Sequence, residues 1–225
     1  MISLKNLSKK FYNGNESQYV LKNINLEIGD NDFITIMGPS GGGKSTLLQI
    51  MALLTEPTEG DIYYSNNKIN FKKDKHLNIH RRESIGLIFQ NANLISCLSP
   101  LENLIIAMNT TESYKEKIKK AKNLLDKVGL SKKYNSKVTS LSGGEAQRVA
   151  VVRALSNNPK VILCDEPTGS LDSNNGNNVI ELLLSIRKEK KCTLIIVTHD
   201  KDIGKLGDRR IYLKDGEIHE MGRDI

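Results

Sequence analysis

Four short runs of the chain are apolar almost without interruption, and each stops at a polar or glycine-rich turn. Residues 33–37 (FITIM) stop at a glycine loop, 85–89 (IGLIF) at Gln90, 161–164 (VILC) at Asp165, and 194–197 (LIIV) at Thr198-His199. They are rich in β-branched residues and do not alternate, which predicts strands covered on both faces, as in a parallel sheet. Helix-like stretches fall between them, over residues 45–54, 144–155 and 175–190. Strands alternating with helices predict an α/β fold. Residues 2–28 and 61–71 instead alternate apolar with polar positions and predict a small antiparallel sheet with one wet face. Residues 91–140 hold no good strand; 101–108 and 114–128 read as helices, with Gly129 as a C-terminal cap. The expected plan is one domain over 1–225. Its core, 1–90 and 141–225, has a mainly parallel sheet and an N-terminal antiparallel β subdomain, and 91–140 form an inserted helical subdomain.

The composition of the 225 residues, 38% hydrophobic and 26% charged, is that of an ordinary globular chain. No run approaches the roughly 18 apolar residues of a membrane helix. Met1 to Lys5 alternate like a strand and lack a signal-peptide core, so the expectation is a cytoplasmic protein. The net charge is +7, from 33 basic and 26 acidic residues, a balance that fits nucleic acid, an anionic membrane face or phosphate ligands as well as plain solvation. The lysines fall in helix-like runs, such as 115–122 and 188–191, with Glu116 and Glu189 among them, and read as solvated faces. Aromatics are few and do not interleave with the basic runs, so nucleic acid is not an expected partner. Cys97, Cys164 and Cys192 are odd in number and far apart, which argues against a disulfide framework and a cysteine-rich zinc site. Cys164 ends an apolar run and reads as a small buried hydrophobe.

The chemistry begins at Gly38-Pro39-Ser40-Gly41-Gly42-Gly43-Lys44-Ser45-Thr46, which fits GxxxxGK[ST] between a strand and a helix. Glycines let backbone N–H groups close around phosphate oxygens, and the helix N-terminus adds partial positive charge. In such a loop Lys44 reaches the β- and γ-phosphates and Ser45 ligates Mg²⁺. Asp165 and Glu166 end a buried strand, where carboxylates are costly without a cation or a reaction to serve. Asp165 is placed to hold Mg²⁺ through its water shell, and Glu166 to act as the base or orienter for an attacking water. Leu141-Ser142-Gly143-Gly144-Glu145 opens another helix and forms a second anion site. A single nucleotide has no obvious need for both.

The ordered set of phosphate loop, Gln90, Leu141 to Glu145, Asp165-Glu166, Ser170-Leu171-Asp172 and His199 resembles the ATPase subunits of ATP-binding cassette (ABC) transporters over essentially the whole chain. The resemblance implies the P-loop NTPase fold, Mg²⁺-dependent hydrolysis of ATP, and a head-to-tail homodimer. Each of two ATP molecules would lie between the phosphate loop (Ser40 to Thr46) of one subunit and Ser142, Gly143 and Gly144 of the other. It further implies that Gln90 senses Mg²⁺ and the attacking water, that His199 meets the γ-phosphate, and that Asp172 faces the opposite subunit. Phe11 takes the place of the aromatic that stacks on adenine. Gly42 replaces a residue often serine or cysteine, which suggests a looser loop; Glu145 replaces the commoner glutamine. The stretch Asp165 to Asp172, with Phe89-Gln90, Asn93-Leu94-Ile95 and Leu101-Glu102-Asn103, is most similar to the macrolide- and peptide-export and lipoprotein-release group. That implies a separate transmembrane permease docked by 91–140, and a peripheral place on the inner face of the membrane. The alternative is a non-transport relative acting on ribosomes or DNA. Such relatives typically carry two cassettes or long coiled coils, which this chain lacks.

Other signals count for less. His76, His80 and Glu83 have helical spacing, but Lys72, Lys73, Lys75, Arg81 and Arg82 around them would repel a cation. His219 follows an Asp215-Gly216 hairpin turn and reads as an exposed strand residue. Arg148 and Arg153 read as structural ion pairs.

Overall fold

The computed structural model describes residues 1–14, 16–109 and 111–220, so the last five residues of the expected domain lie outside the described residues. The chain forms two compact units, Met1–Arg81 with Thr193–Ile225, and Arg82–Cys192.

The first unit holds two sheets. One is antiparallel, ordered β2 (Glu16–Ile28), β1 (Ile2–Asn13), β4 (Glu59–Tyr64), β5 (Asn67–Lys68). Its alternation is the one expected: Leu21, Ile24, Leu26 and Ile28 of β2 are buried between exposed neighbours. The β1–β2 register slips around Asn6 and Asn23, both left-handed at φ 48° and 45°. Asparagine tolerates that conformation, and side chains satisfy the displaced backbone: Asn6 N donates to Asn25 Oδ1 at 2.9 Å and Asn23 N to Ser8 Oγ at 3.0 Å.

The other sheet runs β10 (Glu217–Glu220), β9 (Arg209–Lys214), β3 (Phe33–Met37), β8 (Thr193–Val197) within this unit. Strand β3 is parallel to both neighbours, and β8 is buried at every position. β9 and β10 form a hairpin through Asp215 (φ 53°) and Gly216 (φ 81°), and His219 is exposed on β10. The helices are α1 (Lys44–Met51), α2 (Asp74–Ser84), which ends at the boundary of the units, and α7 (Lys201–Gly204). The stretch 45–54 was expected to be helical throughout, but α1 stops at Met51 because buried Leu53 turns left-handed at φ 58°.

The second unit pairs β6 (Ile85–Ile88) with β7 (Val161–Asp165) in parallel. Its helices are α3 (Pro100–Ala107), α4 (Tyr114–Lys127), α5 (Gly143–Ala154) and α6 (Ser173–Lys190). Leu104 and Met108, Ala121 and Leu125, and Val149 and Val152 from three of these segments share one apolar core. Serine followed three residues later by glutamate starts three of the helices. Ser99–Glu102, Ser113–Glu116 and Ser142–Glu145 all close full capping boxes, satisfying backbone donors that the first turn leaves over. Cys164 and Cys192 are buried free thiols and Cys97 is exposed; burial pushes the Cys164 thiol well above its ordinary range. Among the described residues no helix is long and apolar enough to cross a membrane.

Candidate functional site

In the first unit the phosphate loop leaves β3 and enters α1. Gly38 and Gly43 have φ of 148° and 92°. A Cβ would stand 1.9 Å from the Leu213 carbonyl oxygen at Gly38 and 2.6 Å from that of Val20 at Gly43. Only glycine fits either place. Gly42 does not loosen the loop. It is buried, its N–H donates to Pro39 O at 3.1 Å, and a Cβ there would lie 3.0 Å from that oxygen and 3.1 Å from Leu213 O. Lys44 is the first residue of α1 and only 7% exposed. Its ammonium donates to the Gly38 and Pro39 carbonyls, each at 2.9 Å. The charge is thereby held at the loop, where a polyphosphate would replace the two carbonyls as the better acceptor. Ser40, Gly41 and Ser45 are exposed and Thr46 is partly buried.

His199 follows β8, the parallel neighbour of β3, and is exposed. With Gly38 and Pro39 it lines a cavity of about 500 Å³ that also takes in Lys201, Arg210 and Tyr212. The topology thus brings His199 to the start of the phosphate loop. Phe11 on β1 is 47% exposed, with the Lys9 ammonium 5.3 Å from its ring centre.

In the second unit, Asp165 ends β7 and Glu166 follows with φ 48°. A glutamate in the left-handed region is a strained residue, held there by its surroundings. The turn that follows is closed by Gly169 N donating to Glu166 O at 3.0 Å. Gln90 and Glu166 converge over Gly169. A Cβ at 169 would lie 2.8 Å from Gln90 Nε2 and 3.2 Å from Glu166 Oε2. Ser170 Oγ donates to Gln90 O at 2.9 Å, and Gln147 Nε2, from α5, to Phe89 O at 2.8 Å.

Ser142 caps α5. Its Oγ accepts from Glu145 N at 3.2 Å and its N–H donates to Glu145 Oε2 at 2.9 Å. That backbone bond, assisted by Lys133 and Arg148, holds the Glu145 carboxyl below its ordinary range. Asp172 caps α6, accepting from Asn175 N at 2.9 Å and Asn175 Nδ2 at 2.6 Å, and these bonds likewise lower its pKa. The two helix starts touch: a Cβ on Gly144 would fall 2.4 Å from Asn175 Oδ1, and one on Gly143 3.3 Å from Leu171 Cδ2.

Two residues escape a reading of the sequence alone. Gln147 is buried within the helix that follows the serine-glycine turn and ties it to the strand end before Gln90. Its signal is a single amide among small and apolar residues. Gly169 is visible as a glycine, but the crowding that requires it is not. Arg148 and Arg153 are structural, but among the described residues neither has a carboxylate within ion-pair distance, and both instead bond to backbone carbonyls. Arg148 Nε donates to Val128 O at 3.1 Å, and Arg153 to Asn93 O at 2.7 Å and Ala92 O at 2.9 Å. Carbonyls exposed by the turns after Gln90 and at the end of α4 claim the guanidiniums instead. Nearby, buried Asn103 fixes the loop before α3 by accepting from Ile95 N at 2.8 Å and donating to Ser99 O at 3.0 Å.

The chain matches the ABC transporter family over residues 21–169. It is 47% identical over 223 residues to the ABC transporter ATP-binding protein MJ0796 of Methanocaldococcus jannaschii, covering 97% of this chain and 95% of that one. The MJ0796 dimer solved in a post-hydrolysis state with ADP and Pi superposes with a TM-score of 0.89 at 43% identity, over 100% of both chains. The macrolide export ATP-binding/permease protein MacB of Campylobacter fetus is 44% identical over 97% of this chain, which spans 34% of MacB. The lipoprotein-releasing system ATP-binding protein LolD 1 of Chlorobium chlorochromatii is 43% identical over 89% of this chain and 82% of its own. The chain belongs to the ABC transporter family, as an ATP-binding subunit that hydrolyses ATP. Its fold is the α/β P-loop ATPase cassette.

Proposed function

We propose that this cassette hydrolyses two ATP molecules between two copies of itself. It thereby drives a separate membrane permease that extrudes a peptide, an antimicrobial or a lipoprotein. The observation that carries the dimer is the pair of glycine-rich helix starts, at Gly43 and at Ser142, in one chain. Each copy would offer its phosphate loop to one nucleotide and Ser142 to Gly144 to the other. Phe11 stacks on adenine, the loop N–H groups of Ser40 to Thr46 bind the phosphates, and Lys44 neutralises the β- and γ-oxygens. The Ser45 hydroxyl, the Gln90 carboxamide and the Asp165 carboxylate are hard oxygen donors of the kind Mg²⁺ takes. Bound there, Mg²⁺ supplies charge neutralisation on the phosphates.

Glu166 accepts the proton of a water whose oxygen attacks the γ-phosphorus. The bond to the β–γ bridging oxygen breaks and leaves ADP and phosphate. His199 holds the γ-phosphate during transfer, Gln90 orients the water, and Asp172 meets the opposite subunit. Most of the acceleration in this chemistry comes from positioning and charge. Residues 91–140 form the helical subdomain that docks the permease on the cytoplasmic face of the membrane, and 1–90 with 141–225 form the ATP-binding core. Similarity to MacB and LolD supports extrusion as the direction.

The test is to purify tagged Glu166→Gln protein from its native membranes with ATP and Mg²⁺ and identify what accompanies it. A multi-spanning membrane protein is the expected partner. Ribosomal or DNA-associated proteins without a membrane protein would overturn the transport reading.

A further inference from the structure

The positive charge of this chain gathers in a few stretches, and the most basic of them spans α4. Between Glu112 and Lys137 there are nine lysines and three acidic residues, a local net charge of +6. The sequence alone reads it as a solvated face, and a solvated face normally balances its signs or pairs them. Here Lys120 pairs with Glu112 at 2.7 Å, Lys127 with Glu189 at 3.0 Å and Lys133 with Glu145 at 3.6 Å. Lys122 sits 5.5 Å from the Tyr134 ring centre. Among the described residues Lys115, Lys117, Lys119, Lys132 and Lys137 have no carboxylate within ion-pair distance.

The placement is ordered. Lys115, Lys119 and Lys122 are exposed at i, i+4 and i+7 along α4, so they share one helical face, while Ala121 and Leu125 fill the buried one. Lys119 also lines a recess of about 570 Å³ with Lys120, Lys127 and Lys190, together with Glu112 and Glu116. At the near ends of α3 and α4, Ile106 and Tyr114 are 63% and 67% exposed. A row of ammonium groups on a helix that opens with an exposed phenol, after a helix that ends with an exposed aliphatic, has the composition of a surface that rests on lipid headgroups. Nucleic acid would call for aromatic platforms among the charges, and α4 offers only Tyr114, at its first position.

We propose that the lysine face of α4 binds the anionic headgroups of a phospholipid bilayer. The phosphate of each headgroup would accept from Lys115, Lys119 and Lys122, and the recess beside Lys119 would seat one of them. The proposal rests on the reading of the chain as the partner of a membrane permease, which brings this segment to a bilayer. Its effect would be to orient the cassette before and during docking. A lysine close to an anionic leaflet gains about fivefold in binding.

The test is sedimentation of the purified chain with vesicles of phosphatidylcholine alone and of phosphatidylcholine with phosphatidylglycerol, at low and high salt. The expected result is binding to the anionic vesicles only, weakened by salt. Replacing Lys115, Lys119 and Lys122 by Gln should reduce it about tenfold or more. Replacing Lys72, Lys73 and Lys75 by Gln, with the same charge removed elsewhere, should leave it within about twofold. ATP hydrolysis in solution, measured on each variant, should match the parent and shows that the site and fold are intact. Equal binding to both vesicle types, an equal loss in the two triple variants, or tighter binding to a single-stranded RNA than to anionic vesicles would overturn the proposal. Normal ATP hydrolysis alongside any of these outcomes would leave the ATPase reading standing, whereas absent hydrolysis with intact vesicle binding would do the reverse.

Discussion

The hydroxyl of Ser170 donates to the carbonyl of Gln90 at 2.9 Å, so the turn after Glu166 and the loop that begins at Gln90 share one hydrogen bond. Gln90 therefore cannot move as freely as its exposure suggests. Replacing Ser170 with Ala removes the bond without changing the turn. Turnover should fall several-fold with nucleotide affinity unchanged, which steady-state hydrolysis and a nucleotide titration would separate. Loss of affinity in step with turnover would show that the bond does not serve Gln90.

Gly169 leaves the space in which Gln90 and Glu166 meet. A methyl group at 169 has to displace the ends of these two flexible side chains, which costs the fold little and the site much. Gly169→Ala should keep its thermal midpoint within about 2 °C, since a surface change of this kind alters stability by about half a kcal/mol. Its kcat should drop about tenfold or more. Equal kcat in the variant and parent would mean that the crowding is without consequence.

Gln147 is 1% exposed and donates to Phe89 O at 2.8 Å. Gln147→Ala opens a small void and leaves that carbonyl short of a donor, a loss of about 1–3 kcal/mol. Urea unfolding should show the shift in midpoint, and an unchanged midpoint would contradict the role.

Glu145 and Asp172 are held below their ordinary carboxyl range by helix-cap hydrogen bonds, Glu145 chiefly by Ser142 and Asp172 chiefly by Asn175. A depressed folded pKa means stability that is fully present above the unfolded value and is lost as pH falls through the folded one. The fold should therefore be pH-independent in these groups above about pH 5 and weaken on the acid side of about pH 4. Glu145→Gln, which can still accept from Ser142 N, should flatten part of that acid dependence in thermal scans across this range.

Much of this arrangement could be read from local signals. The phosphate loop, the strand ends at Asp165 and His199, and the Ser142–Glu145 box are short segments whose residues and spacing carry their own geometry. The four apolar strands and the helices of 91–140 came through for the same reason, because period and caps are local. The misses are contacts between distant segments. Leu53 turns left-handed and ends α1 early, and its carbonyl accepts from Arg81 Nη1 at 2.8 Å across 28 positions of sequence. Gly42 sits in a tight place because Leu213, on β9, closes over it. Arg153 binds Asn93 and Ala92 across some sixty positions of sequence, which no periodicity encodes. The convergence of Gln90 and Glu166 on Gly169 is of the same sort.

Glu166 is proposed to take the proton of the attacking water in an otherwise intact nucleotide site. That role is tested most directly by measuring ATP binding, ATP hydrolysis and mass in solution for Glu166→Gln with Mg²⁺. Binding should match the parent's, turnover should fall to background, and a dimer should persist with ATP. Turnover at the parent's rate would contradict that role.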